Sequence, residues 1–232
     1  MLGLIASAVG ATKLIRLQII HRSCSGHFKL WQLGFQHADP SLSNLMVDPM
    51  MKRGMLNDWD LSYDCRSAPD AGHVVGGERT GTLPFMALDL LSEEAWNRNL
   101  QRLYRHDLEG FIWILPWVFL QFEEKELMIP ALEAWQTGDY VECAEAKRGM
   151  ISKLHRSKNI ATTSWKAEWQ LAISLLAWLQ VEEGKRLLGS PLTPAPSAQE
   201  VFNSFCQALW VSRVHYAPLE NIMHELELVP IE

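Results

Sequence analysis

His37, Asp39 and Asn44, followed by Asp58 and Asp60 around Trp59, are the residues of this chain whose types and spacing could carry chemistry. Within residues 35–61 they read H-x-D-x4-N, a short apolar run, a turn, a second apolar run, and D-W-D. An Asp and an Asn five positions apart on one loop, with a further Asp brought back by a tight hairpin, can converge on one divalent cation and one hydroxyl group. Phosphoryl transfer needs that combination: an acceptor for the hydroxyl proton beside a metal held by carboxylate and amide oxygens. Taken singly, Asp39 and Asn44 read as turn formers beside Pro40 and Ser41. H-x-D-x4-N alone would arise by chance in a chain of this length roughly one time in a hundred. Adding D-W-D, in the narrow window that lets it fold back, makes coincidence the weaker explanation.

The elements around these residues are mostly helical. Residues 45–47 and 55–56 are short apolar runs separated by Asp48-Pro49 and Gly54, which predicts two small strands joined by a turn. Before them, residues 23–34 predict a short helix with Gly34 as a left-handed cap, and residues 1–20 a weakly patterned one. From Ser62 to Leu83 the chain is polar and rich in Gly, Ser, Asp and Pro, a loop long enough to suggest a functional role. GTLPFMALDLL (residues 81–91) closes it, and Ser92 with Glu93 and Glu94 behind it reads as a brief helix start. The run from His106 to Phe122 is apolar nearly all round, hence a central helix. Asp139, with Glu142 three residues on, caps a helix to about Leu154. Ser164 caps another, on which Trp165, Trp169, Ala172, Leu176 and Leu179 fall on one face and read as core. Pro191, Pro194 and Pro196 make a loop, a last helix runs from about Ala198 to Val214, and a loose acidic tail follows.

Bulk properties narrow the class. The 232 residues are 48% hydrophobic and include ten tryptophans, enough for a dense core. A formal net charge of -6, from 27 acidic and 21 basic residues, gives no basic surface for nucleic acid or an anionic membrane. Cys24, Cys65, Cys143 and Cys206 lie far apart with no C-x-x-C, as expected of reduced thiols in an intracellular protein, cytoplasmic or nuclear. The eight histidines make no H-E-x-x-H or Cys/His ligand spacing, so no metal beyond magnesium is expected. Lys13 and Arg16 interrupt the first apolar stretch, and the run from Phe111 to Phe122 is too short to span a bilayer. His106 reads as a cap or packing residue at a helix start, and Glu123, Glu124 and Glu126 with Lys125 as a solvated face.

The segments LWQLGFQHADPSLSNLMV, NDWDLS, RTGTLPFM and HDLEGF together resemble the C-terminal lobe of the protein kinases, and more narrowly the fungal-type protein kinase family. The resemblance covers residues 23–154. It implies a mainly α fold: a kinase-like C-terminal lobe with a short β-hairpin at the catalytic loop and the N-terminal ATP lobe largely absent. Residues 1–22 would be an apolar N-terminal segment and residues 155–232 helices completing the lobe. The implied activity is phosphorylation of protein Ser or Thr, with ATP and Mg2+ as cofactors and a protein substrate or partner. His37-Ala38-Asp39 matches the kinase H-R-D, so Asp39 would take or orient the hydroxyl proton. Asn44 and Asp58, the latter at the first position of D-F-G, would ligate magnesium. Thr82 matches the Thr of the substrate-positioning loop, Asp89 the last residue of M-A-P-E, and Asp107 the acid that grips the catalytic-loop backbone; these last roles, like that of His37, are structural.

The departures from the kinase pattern are Ala38 for the Arg that reads an activation-loop phosphate, Ser41 for the loop Lys, Leu88 for the Pro of A-P-E, and Asp89 for its Glu. At about 5–6 residues per strand, the thirty-six residues before His37 cannot hold an ATP lobe, and they contain no G-x-G-x-x-G. A positioned base supplies about 10²–10⁴ in rate, whereas holding the reactants in register supplies about 7–11 kcal/mol. The expectation is that this chain alone does not turn over ATP at a meaningful rate. Two alternatives stand beside the truncated or degenerate kinase: a pseudokinase-type binding module, and a small-molecule phosphotransferase of the aminoglycoside- or choline-kinase kind, against which GTLPFM argues.

Overall fold

The computed structural model of the chain describes residues 13–48, 53–60, 62–64, 81–93, 97, 100, 102–121, 130–154, 165–189, 195–216 and 218–225. Residues 1–12, Pro49, most of the loop between Ser62 and Leu83, Glu123 to Glu126, Ser164, Pro191 and Pro194 lie outside the described residues. The fold is mainly helical, and the chain divides into two compact units, Met1–Ile114 and Leu115–Glu232.

The first unit opens with α1 (Lys13–Gln32). Two helical segments are expected here, yet the described part is one uninterrupted helix, because His21 and Arg22 between them include no glycine and no proline breaks the run. Gly34, at φ +91°, turns the chain out of the helix as anticipated. β1 (Phe35–Gln36) then pairs antiparallel with β4 (Tyr63–Asp64). Between these two-residue strands lie a 3-10 turn (Leu42–Asn44) and the expected hairpin, β2 (Leu45–Asp48) with β3 (Arg53–Leu56). Its register sets Leu45 opposite Leu56 and Asp48 opposite Arg53. A second 3-10 turn (Leu83–Phe85) leads into the short α2 (Leu88–Leu91), and α3 (Tyr104–Gln121) enters beneath the loops. An aromatic cluster joins α1 to the start of α3: His27, Phe28 and Trp31 all lie within 6 Å, centroid to centroid, of the Tyr104 ring. Burying such rings contributes a large share of the apolar area that any unit of this size depends on.

The second unit contains the end of α3, then α4 (Pro130–Glu133), α5 (Tyr140–Ser152), α6 (Lys166–Leu188), α7 (Ala198–Ser212) and α8 (Pro218–Glu225). The Asp139 side chain accepts the Val141 and Glu142 N–H groups at the start of α5, as predicted. Trp165, Trp169, Ala172, Leu176 and Leu179 are buried, in agreement with their reading as core. Trp117 stacks on Trp135, and Phe119 on Trp165. Pro116 lies inside α3 without ending it. Part of the expected loose tail is instead helix α8. Its Leu219, Ile222 and Met223, at 3 and 4 spacing, are fully buried, which supplies the tertiary packing that so short a helix needs. Among the described residues no helix is long and apolar enough to cross a membrane.

Candidate active site

The hairpin register decides where the chemistry-bearing residues fall. With Leu45 opposite Leu56, the next pair outward is Asn44 and Asn57, and the Asn57 N–H donates to the Asn44 carbonyl at 2.8 Å. The strands thus end with Asn44 and Asp58 on adjacent chains at the same end of the ladder. Asp58 takes the left-handed φ of +63°, a conformation Asp tolerates better than most residues. Its carboxylate is exposed and has no partner among the described residues. Trp59 is anchored by its own indole N–H to the Leu56 carbonyl at 2.8 Å and sets its ring edge-on to His37, 4.5 Å between centroids.

His37 is fully buried and its tautomer is fixed by its partners. A carbonyl can only accept, so Nε2–H donates to the Asn57 carbonyl at 2.8 Å, leaving Nδ1 to accept the Asp39 N–H at 3.2 Å. Burial lowers its pKa below the usual imidazole value, against smaller opposing effects from Asn57, Asp107 and Asp39, so the ring is neutral at neutral pH. It therefore acts as a strut between the two arms of the site.

Asp39 is the hub. Oδ1 accepts the Thr82 N–H at 2.7 Å; Oδ2 accepts the Thr82 hydroxyl at 3.0 Å and the Asn44 Nδ2–H at 3.2 Å. Asn44 Nδ2 also donates to the Asp39 carbonyl at 2.9 Å. With its nitrogen committed to Asp39, the Asn44 amide keeps Oδ1 uncommitted among the described residues. An amide oxygen and a free carboxylate are the hard donors that Mg2+ selects, so this donor set fits the ion. Among the described residues there is no group of three or more His, Cys, Asp or Glu able to hold a metal, which leaves this mixed set as the candidate.

Beneath the loop, Ala38 is held at φ +71° by its N–H bond to Asp107 Oδ2 at 3.2 Å. The same oxygen accepts His27 Nε2–H at 3.0 Å, and Oδ1 accepts Arg102 Nε–H at 2.8 Å. Burial alone would raise the Asp107 pKa; Arg102, His27 and the Ala38 amide more than reverse that and hold the carboxyl well below the ordinary range. Asp89 is not part of this cluster. It pairs with Arg105 at the start of α3, near the buried His106, whose Nδ1 accepts the Leu103 N–H at 3.0 Å in the capping role expected of it.

Two further residues of the turn 107–110 complete the seat. The buried Glu109 carboxylate accepts the Leu88 N–H at 2.8 Å and the Trp113 indole N–H at 3.0 Å. At Gly110 a Cβ would lie 2.8 Å from Pro40 Cγ, 3.0 Å from the Phe85 carbonyl oxygen and 3.2 Å from that of Pro40. A proline ring and two backbone oxygens cannot step aside as a long side chain would. Gly110→Ala is therefore expected to cost about 1–3 kcal/mol through overpacking and to shift the amide resonances of Asp39 and Thr82. Urea unfolding that shows no loss would refute the close approach.

Residues 11–119 match the family model described as fungal protein kinase. This stretch belongs to that family. Neither the search of curated proteins nor that of solved structures gave a match. The fungal protein kinase match takes in every candidate residue from His37 to Asp107, together with His27, Arg102, Arg105, Glu109 and Gly110. None of those last five is singled out by spacing: His27 meets Asp107 across 80 positions, and Glu109 meets Leu88 across 21. The one available signal for Glu109 and Gly110 is their place inside HDLEGF.

Proposed function

We propose that the chain is a protein-kinase-like C-terminal lobe serving ATP-dependent phosphoryl transfer to protein Ser or Thr, with its activity reduced by the loss of cationic helpers at Ala38 and Ser41. The observation that carries this reading is the Asp39 carboxylate held by Asn44 and by both the amide and the hydroxyl of Thr82. That arrangement fixes a proton acceptor beside the segment that, in the resembled pattern, positions a peptide. Asn44 and Asp58 would hold Mg2+, which when bound neutralises charge on the nucleotide phosphates. The chain's own part is then to aim Asp39 at the incoming hydroxyl and to accept or orient its proton, while neutral His37 keeps the loop in register with the Asp58 arm.

The same observation also supports a second reading. Both Asp39 oxygens already accept bonds, so the residue could serve as a clamp in a non-catalytic binding module. Two measurements on the 232-residue chain separate the two. Mn2+ added as a paramagnetic probe should broaden the Asn44 and Asp58 resonances, and Asp58→Ala should weaken its binding by about tenfold or more, whereas Asp60→Ala should not. Mg2+-dependent transfer from ATP to a Ser/Thr-containing acceptor protein should be slow, far below the roughly 1–100 s⁻¹ typical of kinases, and lost in Asp58→Ala. Mn2+ binding without any transfer would favour the binding module. Absence of both would overturn the kinase-like reading.

A further inference from the structure

Asp39 does not meet Thr82 unaided: the 3-10 turn at residues 83–85 and α2 must be seated so that Thr82 faces the catalytic loop. The seat is on α3. Gly110 lies so close to the Phe85 carbonyl and to Pro40 that a side chain there would crowd both. One position before it, Glu109 reaches the Leu88 amide. Leu88 is the first residue of α2, entered from Ala87 in an extended conformation at φ −63° and ψ 149°. That is the place in a helix where proline fits without strain, and it is the place where the kinase pattern has the Pro of A-P-E. A proline there would carry no N–H. Leu88 carries one and is itself buried, so its donor must be satisfied within the protein. Glu109, 4% exposed, is the acceptor, and burying a carboxylate is tolerable only with such donors.

We infer that Glu109 is a positioning residue for the segment that carries Thr82 to Asp39, acting through the Leu88 N–H, and that Leu88 and Glu109 are a matched pair. The inference rests on the kinase-like reading for its purpose and on the hydrogen bonds alone for its mechanism. Leu88→Pro removes the donor and leaves the backbone path intact. The carboxylate then keeps its Trp113 bond but loses a partner. Glu109→Gln can still accept from both Leu88 and Trp113 through Oε1 and is neutral, so it is near-neutral in the parent chain and beneficial beside Leu88→Pro.

The experiment follows amide hydrogen exchange at Thr82 in four full-length chains: parent, Leu88→Pro, Glu109→Gln and the double variant. Exchange is referred to the Phe28 amide in α1, within the same unit, to remove unfolding of that unit. Leu88→Pro should raise Thr82 exchange about tenfold or more, and Glu109→Gln on top of it should lower that exchange by relieving the under-satisfied carboxylate, yet leave it above the parent's because the Leu88 N–H is gone. If Leu88→Pro does not fold, the double variant should. Additive effects, or Thr82 protection equal in all four chains, would overturn the pairing. So would failure of both chains carrying Leu88→Pro to fold beside an unaltered Glu109→Gln. Absence of both Asp58-dependent Mn2+ binding and phosphoryl transfer would sink the kinase-like reading and leave this coupling untouched, so the two failures are distinguishable.

Discussion

Asp107→Leu is expected to destabilise the first unit by about 3–5 kcal/mol, the range for breaking a buried charge pair on one side. Leu nearly matches Asp in shape at this site, so the loss is not chiefly one of packing. It comes from three donors left without their acceptor: the Ala38 N–H, His27 Nε2–H and Arg102 Nε–H. The His27 and Asp107 side chains are fully buried and that of Arg102 is 13% exposed, so water cannot replace the lost bonds at His27. Against the roughly 5–15 kcal/mol that holds a typical domain together, that is a large share. The Ala38 bond has a second consequence. Alanine at φ +71° has no side-chain compensation for the left-handed region, so without Asp107 the loop should relax and Asp39 lose its register with Thr82. Urea unfolding of Asp107→Leu, and of the same chain with His27→Leu and Arg102→Met added, would test this. The triple variant removes the orphaned side-chain donors and should recover part of the loss. A single variant within about 1 kcal/mol of the parent would show that Asp107 is not the anchor.

What could be read in the sequence was local. The residues of H-x-D-x4-N, the hairpin that follows and D-W-D lie within one short stretch, so their proximity is a matter of turn length and register. The Asp139 cap and the Trp165 face were legible for the same reason, since helix periodicity and capping act over three to four residues. What supports the site was not legible because it is long-range and polar. A histidine on α1 carries no mark that it will meet an aspartate on α3, and nothing in the spacing of Arg102 and Arg105 marks their partners Asp107 and Asp89. Gly110 resembles any helical glycine until Pro40 and Phe85 are seen against it. Strands β1 and β4, two residues each, fall below any pattern, and α8 was lost in a tail whose acidic residues mask three buried apolar ones.

Acid should weaken the fold in two steps, the first governed by histidine. Burial pushes the His106 pKa from 6.5 down to about 4, with Asp89 opposing that and Arg105 adding to it. Above pH 6.5 the imidazole is neutral in both the folded and unfolded chains and nothing is lost. As pH falls below 6.5 the unfolded chain takes up the proton first, so stability declines until the folded value near 4 is reached. At about 1.4 kcal/mol per pKa unit, the loss across that window is on the order of 3 kcal/mol. His37, lowered by burial as well, adds to it in the same direction. Asp107 acts later: its folded value lies below the unfolded 3.8, so its stabilisation is intact above that pH and is lost only as pH falls further. His106→Asn separates the steps. Asn Oδ1 can stand where Nδ1 accepts the Leu103 N–H, but the side chain no longer titrates. Urea midpoints measured from pH 7.5 to about 2.5 should fall steeply in the parent down to pH 4 and markedly less in His106→Asn, with the two curves steepening together below pH 4. Parallel curves across the whole range would mean that His106 opens to water before it protonates, and the buried neutral imidazole would have to be abandoned as the source of the first step.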